Sequence, residues 1–563
     1  MTILNKTEDK LRALLSSALS RAFEGTEAPD FLIEVPKDKA NGDYSTNMAM
    51  LLARTLKKAP RDIATEIVNN IESDSAVEKV EVAGAGFINF YLNNSYIYEV
   101  LKEIEEKGAD YGCLDIGKGK TVNVEYVSAN PTGPMHMGNA RGGAIGDCLA
   151  KVLSKAGYSV TKEFYVNDAG AQIDKFGRSL EARFIEEVTG KCDFPEDGYQ
   201  GEDIREHAKA YIEKNGTSLI EKSSDEIKQT LIDYALPLNL DKMHNDLASY
   251  RINYDTWFYE STLHDGGLVA DTIEMLKKTD LVYEKDGALW FKSTNFIEKK
   301  GEDDRSYKDD VLVRANGIPT YFAADIAYHR NKLETRGFDI AINIWGADHH
   351  GHIARMKGAL EAIGLDSSKL NVITMQLVRL MENGEIVRMS KRTGKMITLS
   401  DLLQDIGIDA ARFFFNLRQA GSHFDFDLGL ALKQSNDNPV FYVQYAHARI
   451  CSILRLLGED GLTLESFDKI NPALLQAEQE ITLLKRLATL PEEIKIAAET
   501  FDPSRITRYV IAVAADFHSF YNDCHIKGEE TSLAKARLSL CAATKQVIKN
   551  CLDILGVNAP EKM

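Results

Sequence analysis

Residues 131–139 read Pro-Thr-Gly-Pro-Met-His-Met-Gly-Asn and join a predicted strand to a predicted helix. The N-terminus of a helix offers free N–H groups and a partial positive charge, which suit phosphate groups. Gly138 leaves room for a flat purine to pack on the backbone, and His136 and Asn139 are neutral or cationic donors. The alternative is a simple helix cap with a satisfied histidine, but the surrounding prolines and glycines favour a nucleotide site.

A second motif, residues 388–395, reads Arg-Met-Ser-Lys-Arg-Thr-Gly-Lys and contains four cations. A loop of this kind can fold over a triphosphate and neutralise the charge that develops on a leaving pyrophosphate. Lysines on loops are usually only solvated, so this motif indicates a nucleotide site only in combination with the first motif. Together the two motifs predict adenylate transfer, in which His136, Asn139 and Lys391 supply the stabilising charge.

A third motif, residues 345–352, reads Trp-Gly-Ala-Asp-His-His-Gly-His at the end of a predicted strand. A carboxylate at this place, here Asp348, can accept hydrogen bonds from ribose hydroxyls. The competing interpretation is a metal site, because three histidines and an aspartate lie close together. We favour the ribose contact, because histidines at 349, 350 and 352 do not share one face of a helix. The sequence therefore predicts no metal site.

A parallel sheet is needed to position these motifs. Strand Thr121–Ser128, helix Gly138–Ala156 and strand Ser159–Val166 predict a right-handed crossover, with ligands at the carboxyl ends of the strands. Residues 178–270 are mostly polar and helical and interrupt this sheet. The sheet is predicted to resume with three strands, Val311–Arg314, Asp339–Trp345 and Asn371–Leu377.

The chain, at 563 residues, is too long for one hydrophobic core. We predict an α/β architecture: a small α/β unit (1–115, with an opening helix Thr7–Phe23), a Rossmann-like catalytic domain (116–385), a connecting region with the second motif (386–430) and an all-α bundle (431–563). The bundle helices are predicted at 440–457, 473–489, 491–500, 504–523 and 531–555.

The composition is that of an ordinary globular protein, with 44% hydrophobic and 27% charged residues. No signal peptide is visible, and no stretch approaches the roughly 20 apolar residues that cross a bilayer. Seven scattered cysteines without a CxxC pair indicate a reducing compartment and no structural zinc. We therefore expect a cytoplasmic protein that does not bind membranes.

The net charge of −18 argues against non-specific binding of nucleic acid, which needs clustered cations. The charge is unevenly distributed, however. Residues 430–563 carry 15 basic and 17 acidic residues and are nearly neutral. A polyanion can therefore still bind there on a local basic face.

The motifs resemble those of a known enzyme class. Residues 136–139 (HMGN) and 389–392 (MSKR) are similar to the two signatures of class I aminoacyl-tRNA synthetases, HIGH and KMSKS, and residues 346–352 resemble the ribose-binding motif of that class. Residues 42–47 resemble the extra N-terminal domain of bacterial-type arginyl-tRNA synthetases. Four further segments resemble the same family: 124–134, 165–170, 254–261 and 438–449.

This resemblance implies ATP-dependent ligation of L-arginine to tRNA(Arg) through an arginyl-adenylate, with Mg²⁺ accompanying ATP and with tRNA needed for the first step. We expect a monomer. The implied ATP contacts are His136, Gly138, Asn139, Asp348, His352, Met389, Ser390 and Lys391. The implied arginine contacts are Glu125, Ser128, Asn130, Glu260, Tyr321, Asp325 and His349. Carboxylates suit a guanidinium, and Tyr321 and Asp325 would share one helix face.

The resemblance also implies tRNA contacts outside the catalytic domain. Tyr442, Tyr445, His447 and Arg449 combine aromatic rings with cations, as recognition of a single-stranded anticodon loop requires. Core packing is the alternative for at least one of the tyrosines. The N-terminal unit is expected to touch the elbow of the tRNA.

The sequence departs from the family pattern at the first signature. Asn139 replaces its second histidine and can donate a hydrogen bond but cannot carry charge. Two other functions share these motifs: a tRNA-independent nucleotidyltransferase or ligase, and a non-catalytic RNA-binding paralogue. The helical region 431–563 argues against the first, and His136 with Lys391 argues against the second.

Overall fold

A computed structural model describes residues 2–36, 38–297, 308–347, 350–382, 384–387 and 397–563. The chain starts with a four-stranded antiparallel sheet in the order β1-β2-β4-β3, covered by helices. The elements are α1 (Ile3–Ala22), β1 (Ile33–Glu34), β2 (Tyr44–Thr46), α2 (Met48–Leu56), α3 (Pro60–Asn69), β3 (Val77–Ala83), β4 (Phe87–Leu92) and α4 (Ser95–Lys107). The first helix begins earlier than predicted, because the Thr2 hydroxyl caps it by accepting from the Asn5 N–H at 3.1 Å.

A five-stranded parallel sheet forms the centre of the molecule, in the order β12-β11-β5-β6-β7. Its first half contains β5 (Thr121–Glu125), α5 (Met137–Lys155), β6 (Ser159–Val166), α6 (Ala171–Thr189), α7 (Glu202–Asn215), α8 (Ser224–Ser249), β7 (Thr256–Tyr259), α9 (Ser261–Asp265) and α10 (Leu268–Lys277). Helix α5 packs so closely on the sheet that a Cβ at Gly146 would lie 2.2 Å from the Tyr126 ring. The predicted Rossmann-like class is confirmed.

The second half of this region contains β8 (Val282–Lys285), β9 (Ala288–Phe291), β10 (Asp310–Val313), α11 (Tyr321–Arg330), β11 (Ile340–Gly346), α12 (His350–Ala362), β12 (Leu370–Met375), β13 (Val378–Glu382) and β14 (Glu385–Val387). The predicted strand Val311–Arg314 does not rejoin the parallel sheet. It belongs instead to a separate antiparallel sheet, β10-β9-β8. The hydrophobic run predicted a strand correctly but could not identify its neighbours.

Several short strands were missed by the sequence interpretation, among them β7 and β15. Strand β7 lies inside the segment predicted to be a helical insertion and forms one edge of the parallel sheet. Strand β15 (Phe424–Asp427) lies in the region predicted to be helical and pairs in parallel with β13. Both strands are four residues long. Such short runs carry too little periodicity to stand out in a sequence.

Strand β5 ends at Glu125, three residues before the predicted end. Val127 and Ser128 adopt left-handed backbone conformations, with φ of 69° and 41°. This conformation is unfavourable for a β-branched residue and is found mainly where the surrounding structure imposes it. The strained turn lifts the chain out of the sheet and leads it to the first motif.

Apart from β15, the regular elements in the remainder of the described chain are helices. It contains α13 (Leu399–Ile406), α14 (Ile408–Phe415), α15 (Leu428–Leu432), α16 (Pro439–Glu459), α17 (Glu478–Ala488), α18 (Leu490–Glu499), α19 (Ser504–Asp523) and α20 (Thr531–Leu555). The predicted bounds of the last two helices are those observed. The helix predicted at 473–489 starts later, because a 3₁₀ turn, Pro472–Leu474, precedes it. None of the helices among the described residues is both long and apolar enough to cross a membrane.

A buried arginine joins the bundle to the parallel sheet. Arg412 is fully buried. Its Nε donates to the Leu555 carbonyl at 2.7 Å, its Nη1 donates to the Tyr250 carbonyl at 2.9 Å, and its Nη2 donates to Asp147 Oδ2 at 2.5 Å. These contacts fix helices α5, α8, α14 and α20 against one another.

Candidate active site

The first motif forms a reciprocal helix cap at the start of α5. His136 Nδ1 accepts a hydrogen bond from the Gly138 N–H at 3.1 Å. Asn139 Oδ1 accepts one from the backbone N–H of His136 at 3.0 Å. An Nδ1 that accepts is unprotonated, so the imidazole is neutral and keeps Nε2–H as a donor. Surrounding protein displaces water and lowers the pKa of His136, although its ring is exposed. His136 therefore caps the helix and retains one donor.

The ends of the two motif regions meet beside this cap. His136 forms a backbone bridge with Thr398, and the Leu399 N–H donates to the Met135 carbonyl at 2.9 Å. His136 and Gly138 line a cavity of about 400 Å³, whose other walls include Val387 and Ile397. These two residues directly flank segment 388–396. The predicted contacts Met389, Ser390 and Lys391 lie outside the described residues, but both ends of their segment lie beside the cap.

The predicted ATP and arginine contacts adjoin each other at helix α12. His352 Nε2 lies 3.3 Å from Asp325 Oδ2. The His352 ring also lies 5.6 Å from the Trp345 ring at the end of β11. Asp348 and His349, predicted to contact ribose and arginine, are outside the described residues. The structure thus brings His352, a predicted ATP contact, next to Asp325, a predicted arginine contact.

A cavity of about 310 Å³ lies between the loop that follows β6, helix α9 and the segment that leads into α11. Glu260, His264 and Tyr321 line it. Glu260 is only 3% exposed. With its amide oriented to donate, Asn167 lies 3.1 Å from Glu260 Oε2 and 3.1 Å from the carbonyl of Ala169. The cavity therefore has a buried carboxylate in its wall.

Glu260 has no lysine or arginine partner among the described residues; its nearest potential cation is His264, with Nε2 at 3.6 Å from Oε1. Burial raises the pKa of Glu260, and the negative charge of Asp325 raises it further. An ionised carboxylate without a cation is costly to bury. Arg314 also lines the cavity, but the buried Glu260 carboxylate suits a cationic group of a ligand, and the predicted contact Tyr321 lines the same space.

The predicted arginine contacts beside β5 are already engaged within the protein. Glu125 Oε2 accepts from Lys332 Nζ at 2.6 Å, and Oε1 accepts from Ser128 Oγ at 3.0 Å. Ser128 Oγ in turn accepts from the Tyr165 N–H at 3.1 Å. The charge of Glu125 is thus paired, whereas Asn130 is exposed on the turn. The sequence interpretation missed Lys332 and Asn167; nothing in the sequence marks the lysine, although Asn167 lies in a matched segment.

The helical bundle presents an aromatic and cationic surface formed by α16 and α19. Tyr442 packs on His518 with ring centroids 4.7 Å apart, and Tyr445 stacks on Phe441 at 6.1 Å. The Arg449 guanidinium lies 4.3 Å above the Tyr521 ring. These side chains are partly exposed. We call Tyr442, Tyr445, Arg449, His518 and Tyr521 the aromatic surface.

His447 differs from its three predicted companions. Its side chain is 3% exposed, and Nδ1 lies 2.9 Å from the Pro560 carbonyl. The spacing of residues along α16 turns it away from the face that carries Tyr445 and Arg449. The His447 ring therefore packs inside the bundle, and its predicted contact with tRNA stays a prediction.

Family models match most of the chain. The class I (R) tRNA synthetase catalytic domain matches residues 104–417, the arginyl-tRNA synthetase N-terminal domain matches 9–92, and the DALR anticodon-binding domain matches 443–563.

The chain belongs to the arginyl-tRNA synthetases. It is 54% identical to the arginine–tRNA ligase of Acetivibrio thermocellus and 55% identical to that of Caldanaerobacter subterraneus, in each case over 100% of both chains. A solved structure of an arginyl-tRNA synthetase described as putative, from Campylobacter jejuni, matches with a TM-score of 0.74 and 34% identity, over 84% of this chain and 100% of that one. The family resemblance found in the sequence is confirmed.

A more distant structure shows the same fold. Arginyl-tRNA synthetase from Thermus thermophilus superposes with a TM-score of 0.72 at 23% identity, over 99% of this chain and 100% of that one. Enzymes of class I use ATP as a substrate, and the two other functions considered from the sequence are not favoured.

Proposed function

We propose that this chain joins L-arginine to tRNA(Arg) through an arginyl-adenylate and releases AMP and pyrophosphate. One observation carries the proposal within the site: Glu260, a buried carboxylate with a raised pKa, lines a cavity together with Tyr321. Asp325 is close enough to raise that pKa further. A carboxylate in the cavity wall, with a second carboxylate close to it, matches the paired donors of a guanidinium.

In the first step, the arginine carboxylate attacks the α-phosphate of ATP in line and expels pyrophosphate. The nucleophile is already ionised, so no general base is needed, and catalysis consists of positioning and charge stabilisation. His136 Nε2–H, the amide of Asn139 and the ammonium of Lys391 supply donors. Gly138 and the start of α5 hold the nucleotide, with Met389 and Ser390 from the second motif.

ATP enters as its Mg²⁺ complex, in which the phosphates carry the ion. Within the described part of the chain, no group of three or more His, Cys, Asp or Glu side chains is arranged to hold a metal. The ion is therefore a component of the substrate in this proposal. Asp348 and His352 contact the adenosine side of the nucleotide.

The arginine side chain points toward Glu260 and Asp325, with Tyr321 against the guanidinium. Its α-ammonium group faces the turn with Ser128 and Asn130, and His349 completes this set. Glu125 supports the turn, because its carboxylate is already paired with Lys332. Lysine is rejected without an editing domain, because it would leave carboxylate acceptors unpaired.

In the second step, the 2′-OH of the terminal adenosine of tRNA attacks the adenylate. The aromatic surface binds the anticodon loop through base stacking and cations.

Each domain has its own role in this proposal. Residues 1–115 contact the tRNA elbow, and residues 116–385 form the catalytic domain. Residues 386–430 connect the catalytic domain to residues 431–563, which hold the anticodon. We propose a cytoplasmic monomer.

ATP–pyrophosphate exchange, measured with each amino acid in the presence and absence of bulk tRNA, tests this function. We expect exchange with arginine only when tRNA is present. Exchange with arginine in the absence of tRNA would contradict the tRNA-dependent first step and favour the tRNA-independent alternative. No exchange under any condition, with tRNA still bound, would identify a non-catalytic RNA-binding paralogue.

A further inference from the structure

A layer of polar side chains crosses three neighbouring strands of the parallel sheet. Strand register places Asn343 of β11 beside Glu125 of β5, and Glu125 beside Glu163 of β6. All three side chains are buried, at 0% exposure for Asn343 and Glu163 and 6% for Glu125. Two adjacent buried carboxylates are unstable unless cations neutralise them.

Two cations, Lys332 and Arg336, neutralise the carboxylates of this layer. Lys332 is fully buried and lies 2.6 Å from Glu125 Oε2 and 3.8 Å from Glu163 Oε1. Arg336 pairs, among the described residues, only with Glu163, through Nη2 to Oε1 at 3.0 Å and a second contact from Nη1 to Oε2. Burial by itself would raise the pKa of Glu163, but Arg336 and Lys332 hold it below its ordinary value. Lys332 is thus the cation that Glu125 and Glu163 share.

A directed chain of hydrogen bonds runs from Lys332 to the backbone of Asp325. Lys332 Nζ donates to Asn343 Oδ1 at 3.1 Å, and Asn343 Nδ2 donates to His329 Nε2 at 2.8 Å. His329 Nδ1–H then donates to the Asp325 carbonyl at 2.7 Å. The His329 ring is neutral, since burial and then the Lys332 charge lower its pKa to about 4. Each donor in this chain therefore has one acceptor.

In the opposite direction, Lys332 reaches the strained turn through Glu125. Glu125 accepts from Ser128 Oγ, and Ser128 is one of the two residues of this turn in left-handed conformation. Lys332 itself lies in a single π-helical turn, Asn331–Thr335, that continues α11. Such turns are rare and often occur at functional sites. One ammonium group therefore connects the turn before the first motif with the helix that carries Tyr321 and Asp325.

We propose that Lys332 is a positioning residue for the amino-acid substrate. It fixes the turn at Ser128, which faces the α-ammonium group, relative to Asp325, which faces the guanidinium. This inference rests on the proposed function, because it concerns the arginine pocket. A rigid distance between the two ends of the pocket selects the length of the side chain as well as its charge.

The test compares Lys332→Met with Arg336→Met in the full-length protein. Both substitutions remove one cation from the same buried layer, but only the first breaks the link between Ser128 and Asp325. Arginine binding is measured by calorimetric titration, and the KM values for arginine and ATP are measured in tRNA charging. We expect Lys332→Met to weaken arginine binding and raise its KM by about 10-fold or more, with the KM for ATP nearly unchanged.

Arg336→Met should lower the Tm while leaving the KM for arginine within about 2-fold of wild type. Lys332→Arg keeps the charge and should recover most of the arginine affinity. If Lys332→Met does not fold, the double variant Lys332→Met with Glu125→Gln removes the unpaired charge, and its arginine affinity should be lower than that of Glu125→Gln alone. Equal arginine affinities in the Lys332 and Arg336 variants would overturn the proposal, because the layer would then serve stability alone.

Titration of the wild-type protein with arginine distinguishes a failure of the proposed function from a failure of the role proposed for Lys332. A wild-type protein that binds no arginine would contradict the proposed function itself. A wild-type protein that binds arginine, together with a Lys332→Met variant of equal affinity, would contradict only the role of Lys332.

Discussion

Asn139 Oδ1 accepts the backbone N–H of His136 at 3.0 Å, so the residue that replaces the second signature histidine uses its oxygen to cap the helix. Its amide nitrogen has no acceptor among the residues that the structure describes. One side chain therefore has two separable tasks: the oxygen supports the fold and the nitrogen is available to the nucleotide.

Substitution of Asn139 should separate these tasks. Asn139→Ala loses both groups, so we expect helix capping to weaken by about 1 kcal/mol and the rate of adenylate formation to fall about 100-fold. Asn139→Asp keeps the capping oxygen but replaces the donor with a negative charge. Its Tm should stay near that of wild type while the rate falls at least as far. Thermal unfolding and tRNA-dependent pyrophosphate exchange measure the two effects; equal exchange rates in Asn139→Asp and wild type would remove the nitrogen from the mechanism.

Glu260→Gln should stabilise the protein while weakening its binding of arginine. The raised pKa means that the ionised carboxylate is unfavourable in the folded state, and this cost is fully present above the folded pKa. At neutral pH we expect the Tm to rise by about 1–3 °C and the Kd for arginine to rise about 100-fold. The Tm gain should vanish below the ordinary glutamate pKa of 4.5, where both states are protonated. Asp271→Asn, at an exposed position of α10, is the matched control and should change neither quantity.

The KM for arginine should depend on acid pH through the same carboxylate. Arginine stays positively charged throughout, so binding weakens as Glu260 takes up a proton when the pH falls through its raised pKa. The increase in KM should therefore begin at a higher pH than an ordinary glutamate would give. Steady-state measurements between about pH 5 and pH 8 show this, and Glu260→Gln should give a flat profile. A sloping profile in that variant would assign the titration to another group.

The aromatic surface should contribute to the binding of tRNA and not to the binding of arginine or ATP. Loss of one stacked base costs about 1–3 kcal/mol, so Tyr445→Ala should raise the KM for tRNA by about 5- to 100-fold. The KM values for arginine and ATP should not change. His447→Ala is the matched control on the same helix: its side chain is buried, so we expect a lower Tm and an unchanged KM for tRNA. The opposite pattern would place the anticodon loop on a different face of the bundle.

The long elements could be predicted from the sequence because each carries its own periodicity. Strand β6 and helices α19 and α20 have the predicted bounds, since uninterrupted apolar patterns end at clear breaks. Strand β10 shows the limit of this approach: its pattern indicated a strand, but pairing with β9 depends on chain geometry. Strand β5 ended early because of backbone strain at Val127, which no residue preference would predict.

Some features of the candidate site could likewise be predicted from the sequence, and others could not. The cap at His136 could be recognised because all its atoms come from neighbouring residues. The pair formed by Lys332 and Glu125 spans 207 positions and depends on the register of three strands. The burial of His447 could not be predicted from the sequence either. One turn of an amphipathic helix contains both exposed and buried positions, and residue spacing alone does not show which side chain is buried.

The polar layer of Asn343, Glu125 and Glu163 has an evolutionary consequence. The three side chains come from distant parts of the gene, yet any one change leaves a neighbour with an unmatched charge or amide. We expect mutations here to persist only when a second mutation compensates for them. Related sequences should therefore show correlated substitutions at these three positions. We expect this even in relatives whose first signature motif has changed.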